Sequence, residues 1–129
     1  MSLGRLLFSF KGRIGRAQYW VASLFVGGLL VVIGLLFEHY VPGGYVPASS
    51  AHAPGTAETV IPLAAFPLIW SLLAIGAKRC HDRGKPGWFQ VVGIVPIVGW
   101  LWQIVELGFL PGIEETNNYG PPLVPRPPT

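Results

Sequence analysis

Cys80, His81 and Asp82 stand in a row within Lys78-Arg79-Cys80-His81-Asp82-Arg83-Gly84-Lys85-Pro86-Gly87-Trp88. A thiol, an imidazole and a carboxylate are the groups of a cysteine nucleophile, its base and the acid that orients it. His and Asp are also metal ligands. Both readings need convergence. Neighbouring residues point about 100° apart on a helix and to opposite faces on a strand. A nucleophile and its base must approach to about 3 Å. A metal at His81 and Asp82 would need further ligands, and the other histidines, His39 and His52, are expected across the membrane from them. Cys80 is the single cysteine, so neither an internal disulfide nor a four-cysteine zinc site can form. The chain has no phosphate-binding glycine loop, no H-E-x-x-H and no paired-carboxylate site. The expectation is a structural loop: no catalysis, no metal, no cofactor and no nucleic-acid partner.

Asp82 carries the sharper hypothesis. It is the one acid among eight cations expected on the same side of the membrane. Carboxylate–arginine pairs are the strong class of ion pair. Asp82 is therefore expected to bridge to Arg13 or Arg16, against the alternative of a solvated surface pair worth at most about 1 kcal/mol. Gly84 suits a left-handed turn closing the preceding helix. Pro86 suits the start of the next.

The elements that would hold this loop are apolar. Of 129 residues, 51% are hydrophobic and 12% charged, where a soluble domain carries about 25% charged residues. Ala17 to Phe37 has no charge. As a helix its 21 residues rise about 31 Å, against a hydrocarbon core of about 30 Å. Tyr19 and Trp20 sit where aromatics anchor at the interface. Val60–Ala77 reads as a second span, with Pro62 in its first turn and a kink at Pro67. Gly87–Val105 reads as a third, bent near Pro96 and Gly99, with Trp88, Trp100 and Trp102 packing or at the interface. The alternative there is a re-entrant hairpin reaching part-way. Residues 87–110 are too few for two crossings of about 20 residues each, and one span is favoured. Before the first span, Leu3, Leu6, Leu7 and Phe10 share one helical face amid Arg5, Lys11, Arg13 and Arg16. Such a basic amphipathic segment lies at the interface.

The fold class is thus all-α: an integral membrane bundle of three transmembrane helices with an interfacial N-terminal segment. Residues 1–121 form one membrane domain and 122–129 a proline-rich tail. The apolar run is too long for a signal peptide, and Ala51-His52-Ala53 lies too far beyond it for cleavage. Eight of nine basic residues fall before the first span or in the 78–86 loop, and the 38–59 loop has none. The positive-inside rule puts the N-terminus and the 78–86 loop in the cytoplasm. Three spans then put the C-terminal tail outside.

Three stretches resemble the domain of unknown function 805 family, small bacterial inner-membrane proteins. Phe10-Lys11-Gly12-Arg13-Ile14-Gly15-Arg16-Ala17-Gln18-Tyr19-Trp20 looks like its aromatic-x-Gly-Arg-x-x-Arg-x-x-aromatic-Trp pattern. Arg79, His81, Asp82, Gly84 and Trp88 match its Arg-x-His-Asp-x-Gly pattern leading to Trp. Asn117-Asn118-Tyr119-Gly120-Pro121 is like its Asn-x-aromatic-Gly-Pro tail. Cys80, Gln18, Glu115 and Pro122 depart from what that family usually shows there. The resemblance implies a fold and a bacterial inner-membrane location. It implies no activity.

The remaining candidates are weaker. Glu106, beyond the third span, reads as a wet residue at the membrane edge rather than a functional acid. Gln90 and Gln103 could hydrogen-bond between helices. Ser23, Gly27 and Gly34 read as a packing stripe. Lys85 and the other cations either fix topology or bind anionic lipid, at about 1 kcal/mol per residue near a charged leaflet. The expected role is non-catalytic, packing with lipid, a second copy or another membrane protein. The alternatives are a component of an oligomeric transporter and, last, an enzyme using Cys80, His81 and Asp82.

Overall fold

The computed structural model describes residues 2–41 and 56–124, with side chains of 56 and 57 left aside. Every regular element among them is helical, beside one isolated bridge between Asn117 and Gly120. Helix α1 runs Leu3–Phe8, α2 Arg16–Tyr40 and α3 Thr56–Asp82. A 3-10 stretch, Gly87–Ile94, then leads to α4, Val98–Gln103, which widens into a π-turn over Ile104–Phe109.

α2 and α3 contain the first two expected spans and overrun them. At 25 and 27 residues they rise about 37 and 40 Å, more than a bilayer core needs. Only 11% of the most apolar stretch of α2, and 28% of that of α3, is buried against the rest of the protein. A soluble core helix of that composition would be covered. These two are long and apolar enough to cross a membrane. The helix start at Thr56 puts Pro62 inside α3 rather than in its first turn. α3 runs on through Pro67, whose carbonyl accepts from Ser71 Oγ at 2.8 Å. Residues 42–55, including His52 and the Ala51–Ala53 stretch, lie outside the described residues.

The expected third span is not one helix. Residues 87–109 double back. Ile97, at the turn, holds φ 65°, and the two limbs are joined by Gln103 Nε2 donating to Gln90 O at 2.6 Å and Trp100 Nε1 to Gly93 O at 2.9 Å. The reason is local: Pro96 offers no N–H, and Gly99 lets the returning limb pass against the carbonyl of Val92. The tail therefore returns to the end of the bundle where the N-terminal segment lies, contrary to the placement that three spans imply.

The core also sits at that end. Ile14, Ala22, Val26 and Ile75 form it, with Leu6, Leu7 and Tyr19 packed against it. α1 is shorter than the expected amphipathic segment and is docked on α3. Phe10 meets Trp70 edge-to-face at 5.1 Å. The last turns of α3, Ala74 to Asp82, are buried on all sides.

Candidate functional site: a buried charge clamp

Asp82 closes α3, and Gly84 turns the chain away from it in the left-handed region at φ 69°, where glycine carries no steric penalty. Lys85 N–H returns to Cys80 O at 2.8 Å. This turn leaves the Asp82 carboxylate facing the bundle, 3% exposed. Arg13 Nε donates to its Oδ1 at 3.0 Å, and Arg79 Nη1 donates to its Oδ2. The expected bridge to Arg13 is present. Arg16 is instead exposed and donates to Phe109 O at 3.1 Å. The second partner, Arg79, stands three residues before Asp82, a spacing that brings side chains together on a helix. That was the available signal for it.

Two buried guanidinium groups on one carboxylate leave a net positive charge inside the protein. Burying charge is costly unless the remaining donors are satisfied, and here carbonyls satisfy them. Arg13 Nη1 donates to Glu115 O at 3.0 Å and Gly120 O at 3.2 Å, and Nη2 to Ile113 O. Arg79 Nε donates to Leu107 O at 2.7 Å and Nη2 to Leu110 O. No buried side-chain nitrogen or oxygen among the described residues lacks a partner.

The accepting carbonyls follow a pattern. A helix leaves its last four carbonyls without partners. At the end of the π-turn, Leu107 and Leu110 are taken by Arg79, Gly108 by Trp20 Nε1 at 3.1 Å, and Phe109 by Arg16. At the end of α1, Lys78 Nζ, wholly buried, donates to Arg5 O at 2.9 Å and to Leu6 O. Cations favour helix C-termini. Three of the eight cations, Arg16, Lys78 and Arg79, thus cap helix ends. Nothing in the sequence singled out Lys78 for this.

His81 and Cys80 point elsewhere. His81 Nδ1 lies 3.2 Å from Gly12 O, so that nitrogen carries the hydrogen. Its ring stacks on Tyr119 at 3.9 Å and 5°. Asn117 Nδ2 donates to His81 O at 2.8 Å, and Gly120 closes the Asn117 turn. The three tail residues are thus the seat of His81. Cys80 is 1% exposed. Tyr19 lies against Trp20, edge-to-face at 5.8 Å, and Trp88 is exposed.

Glu106 is not a wet edge residue. It is 7% exposed and accepts from Lys85 Nζ at 2.6 Å and Arg83 Nε at 3.2 Å. Lys85 also lies 4.7 Å over the rings of both Phe89 and Trp102. The pair locks the base of the hairpin. Burial pushes the Glu106 carboxyl up, but the Lys85 hydrogen bond and Arg83 outweigh it and hold it below its ordinary 4.5. A carboxyl lowered by folding stabilises above its unfolded value and loses that contribution as pH falls through the folded one. Thermal melting in detergent should fall on acidification below pH about 4.5, and Glu106→Gln should melt lower at neutral pH with that acid step diminished.

The profile of a family described as "Protein of unknown function (DUF805)" matches residues 7–121. The chain is 28% identical to "Uncharacterized protein YiiR" of Escherichia coli K12, over 93% of this chain and 89% of the relative. It is 28% identical to "Inner membrane protein YhaH" of the same strain, over 87% and 84%. For "Inner membrane protein YhaI" the figures are 29%, 86% and 82%. No solved structure matches.

Proposed function

The chain belongs to the DUF805 family, and from that premise we propose a non-catalytic protein of the bacterial inner membrane that works by association with lipid or other membrane proteins. α2 and α3 cross the bilayer, the 87–109 hairpin enters and leaves on one side, and both ends of the chain face the cytoplasm. The observation that carries this reading is the inward, nearly saturated state of the residues that could do chemistry. Asp82 is held by two arginines, His81 by Gly12 and Tyr119, and Cys80 is sealed in the core. A catalytic group must reach its substrate, and these are spent on the fold.

The transporter alternative draws on the broken hairpin, since irregular backbone at membrane depth often lines a substrate path. The cavity beside it, about 460 Å³, is walled by Phe10, Leu73, Trp88, Val91 and Ile94, with His81 and Gln90 as its polar members. That lining suits an apolar occupant better than a solute path. Topology is tested with Cys80→Ala and a cysteine added after Thr129. In inverted membrane vesicles, which expose the cytoplasmic face, a membrane-impermeant maleimide should label it. Labelling confined to right-side-out spheroplasts would overturn the placement. Purification in mild detergent should retain phospholipid or a second membrane protein in fixed ratio. A bare monomer would overturn the association.

A further inference from the structure

We infer that the cavity between α3 and the first limb of the hairpin binds a membrane-soluble phenol, whose hydroxyl donates to His81 Nε2. One atom of the inward groups described above is left over. The ring hydrogen of His81 is on Nδ1, and Gly12 O takes it at 3.2 Å. In a neutral imidazole the other nitrogen is then an acceptor. Among the described residues no donor is bonded to Nε2. His81 is only 9% exposed, yet no enclosed side-chain nitrogen or oxygen among those residues lacks a partner. Nε2 is therefore reached from an open space. That space is the cavity of about 460 Å³, which His81 and Gly87 both line. Nε2 is turned toward Gly87, where an added Cβ would stand 3.5 Å from it.

The lining selects the occupant. Gln90 Nε2 donates to Leu73 O at 3.1 Å and to Gly87 O at 3.0 Å, so its amide hydrogens are spent. The buried polar end of the cavity accepts and does not donate. An anion finds no free cation there: Lys78, three residues before His81 on α3, is committed to Arg5 O and Leu6 O, and Lys85 to Glu106. Phe10, Leu73, Trp88 and Val91 make the rest of the wall apolar. Phe10 is held edge-to-face by Trp70, and aromatic rings gain beyond their buried area when packed on others. The volume falls within the range of small-ligand sites, roughly 300–1,000 Å³. Trp88 is 71% and Val91 56% exposed, so the cavity opens sideways onto the apolar face of the bundle. A neutral aromatic ring with one hydroxyl meets each of these conditions. An ether or ketone of the same shape would leave Nε2 dry and unpaired, which is costly. The inference rests on the membrane placement above only for the source of the ligand, and either can fail with the other intact.

The test is a titration of the full chain, labelled with 15N-histidine and held in lipid nanodiscs, with 4-pentylphenol or its methyl ether, 4-pentylanisole. Concentrations are expressed per lipid. The phenol should shift the His81 Nε2 resonance saturably, in the direction of a hydrogen-bonded acceptor. The ether should bind about tenfold more weakly and leave that resonance in place, as expected for one lost hydrogen bond. His81→Asn keeps an amide donor for Gly12 O and removes Nε2. It assigns the resonance among the three histidines, and ligand-induced thermal shifts should show it binding phenol and ether alike. Val91→Trp keeps His81 and puts an indole in the cavity. It should weaken the phenol about tenfold or more while melting like the wild type, because Val91 is more than half exposed. If His81→Asn fails to fold, the two probes on the wild type and Val91→Trp decide the matter. Equal binding of phenol and ether by the wild type overturns the role of Nε2. Undiminished phenol binding by Val91→Trp overturns the cavity, and a wild type that binds no phenol overturns both.

Discussion

Asp82→Asn should cost about 3–5 kcal/mol of stability, the penalty for breaking a buried ion pair by removing one partner. The size follows from what is left behind. Arg13 and Arg79 stay at 4% and 0% exposure, now facing an amide with one accepting oxygen in place of two and no charge. Their carbonyl partners cannot neutralise them. Folded yield from membranes, read by gel filtration in detergent, should fall severalfold, and thermal melting should drop. Asp82→Glu separates geometry from charge. It keeps the anion but lengthens the arm where Gly112 already lies against the carboxylate, so it should rescue only in part. An unchanged yield for Asp82→Asn would mean the carboxylate is solvated and the clamp wrong.

Gly99→Ala has an expected sign that depends on the fold. In a straight transmembrane helix the change would stabilise by about 1 kcal/mol, because alanine is the better helix former. In the hairpin a Cβ at 99 would be driven into the carbonyl group of Val92, which is backbone and cannot rotate aside. Overpacking of this kind costs about 1–3 kcal/mol. We expect the melting temperature in detergent to fall by several degrees, and the return of the tail to loosen with it. A rise would restore the single third span.

The two long helices were legible because charge-free runs of this length have few other uses. The Asp82–Arg13 bridge was legible because one acid lay among eight cations. Gly84 marked its turn. The hairpin was misread for a physical reason. Residues 87–105 have the length and hydropathy of one crossing, and Pro96 and Gly99 signal a bend and a reversal equally well. Glu106 was misplaced as a consequence, since its distance from Lys85 depends wholly on that reversal. The tail residues Asn117, Tyr119 and Gly120 stood out as a motif, but their partner, His81, lies 36 or more positions earlier. Spacing along a chain carries no information about such a contact. The capping role of Lys78 and Arg79 left no trace, because a lysine that caps a buried helix and one that faces lipid are written alike.

The clamp also sets an order of assembly. Arg13 emerges from the ribosome early, yet Gly120, one of the carbonyls it needs, lies 107 positions later. Chains are made from the N-terminus, so α2 and α3 can be in the bilayer while both guanidinium groups still await their acceptors. Until residues 107–120 are synthesised and folded back, the membrane-inserted chain carries an open, hydrated charge cluster. Closure of that cluster waits on residues 107–120, and a chain that stops short of Leu107 lacks the carbonyls that Arg13 and Arg79 take.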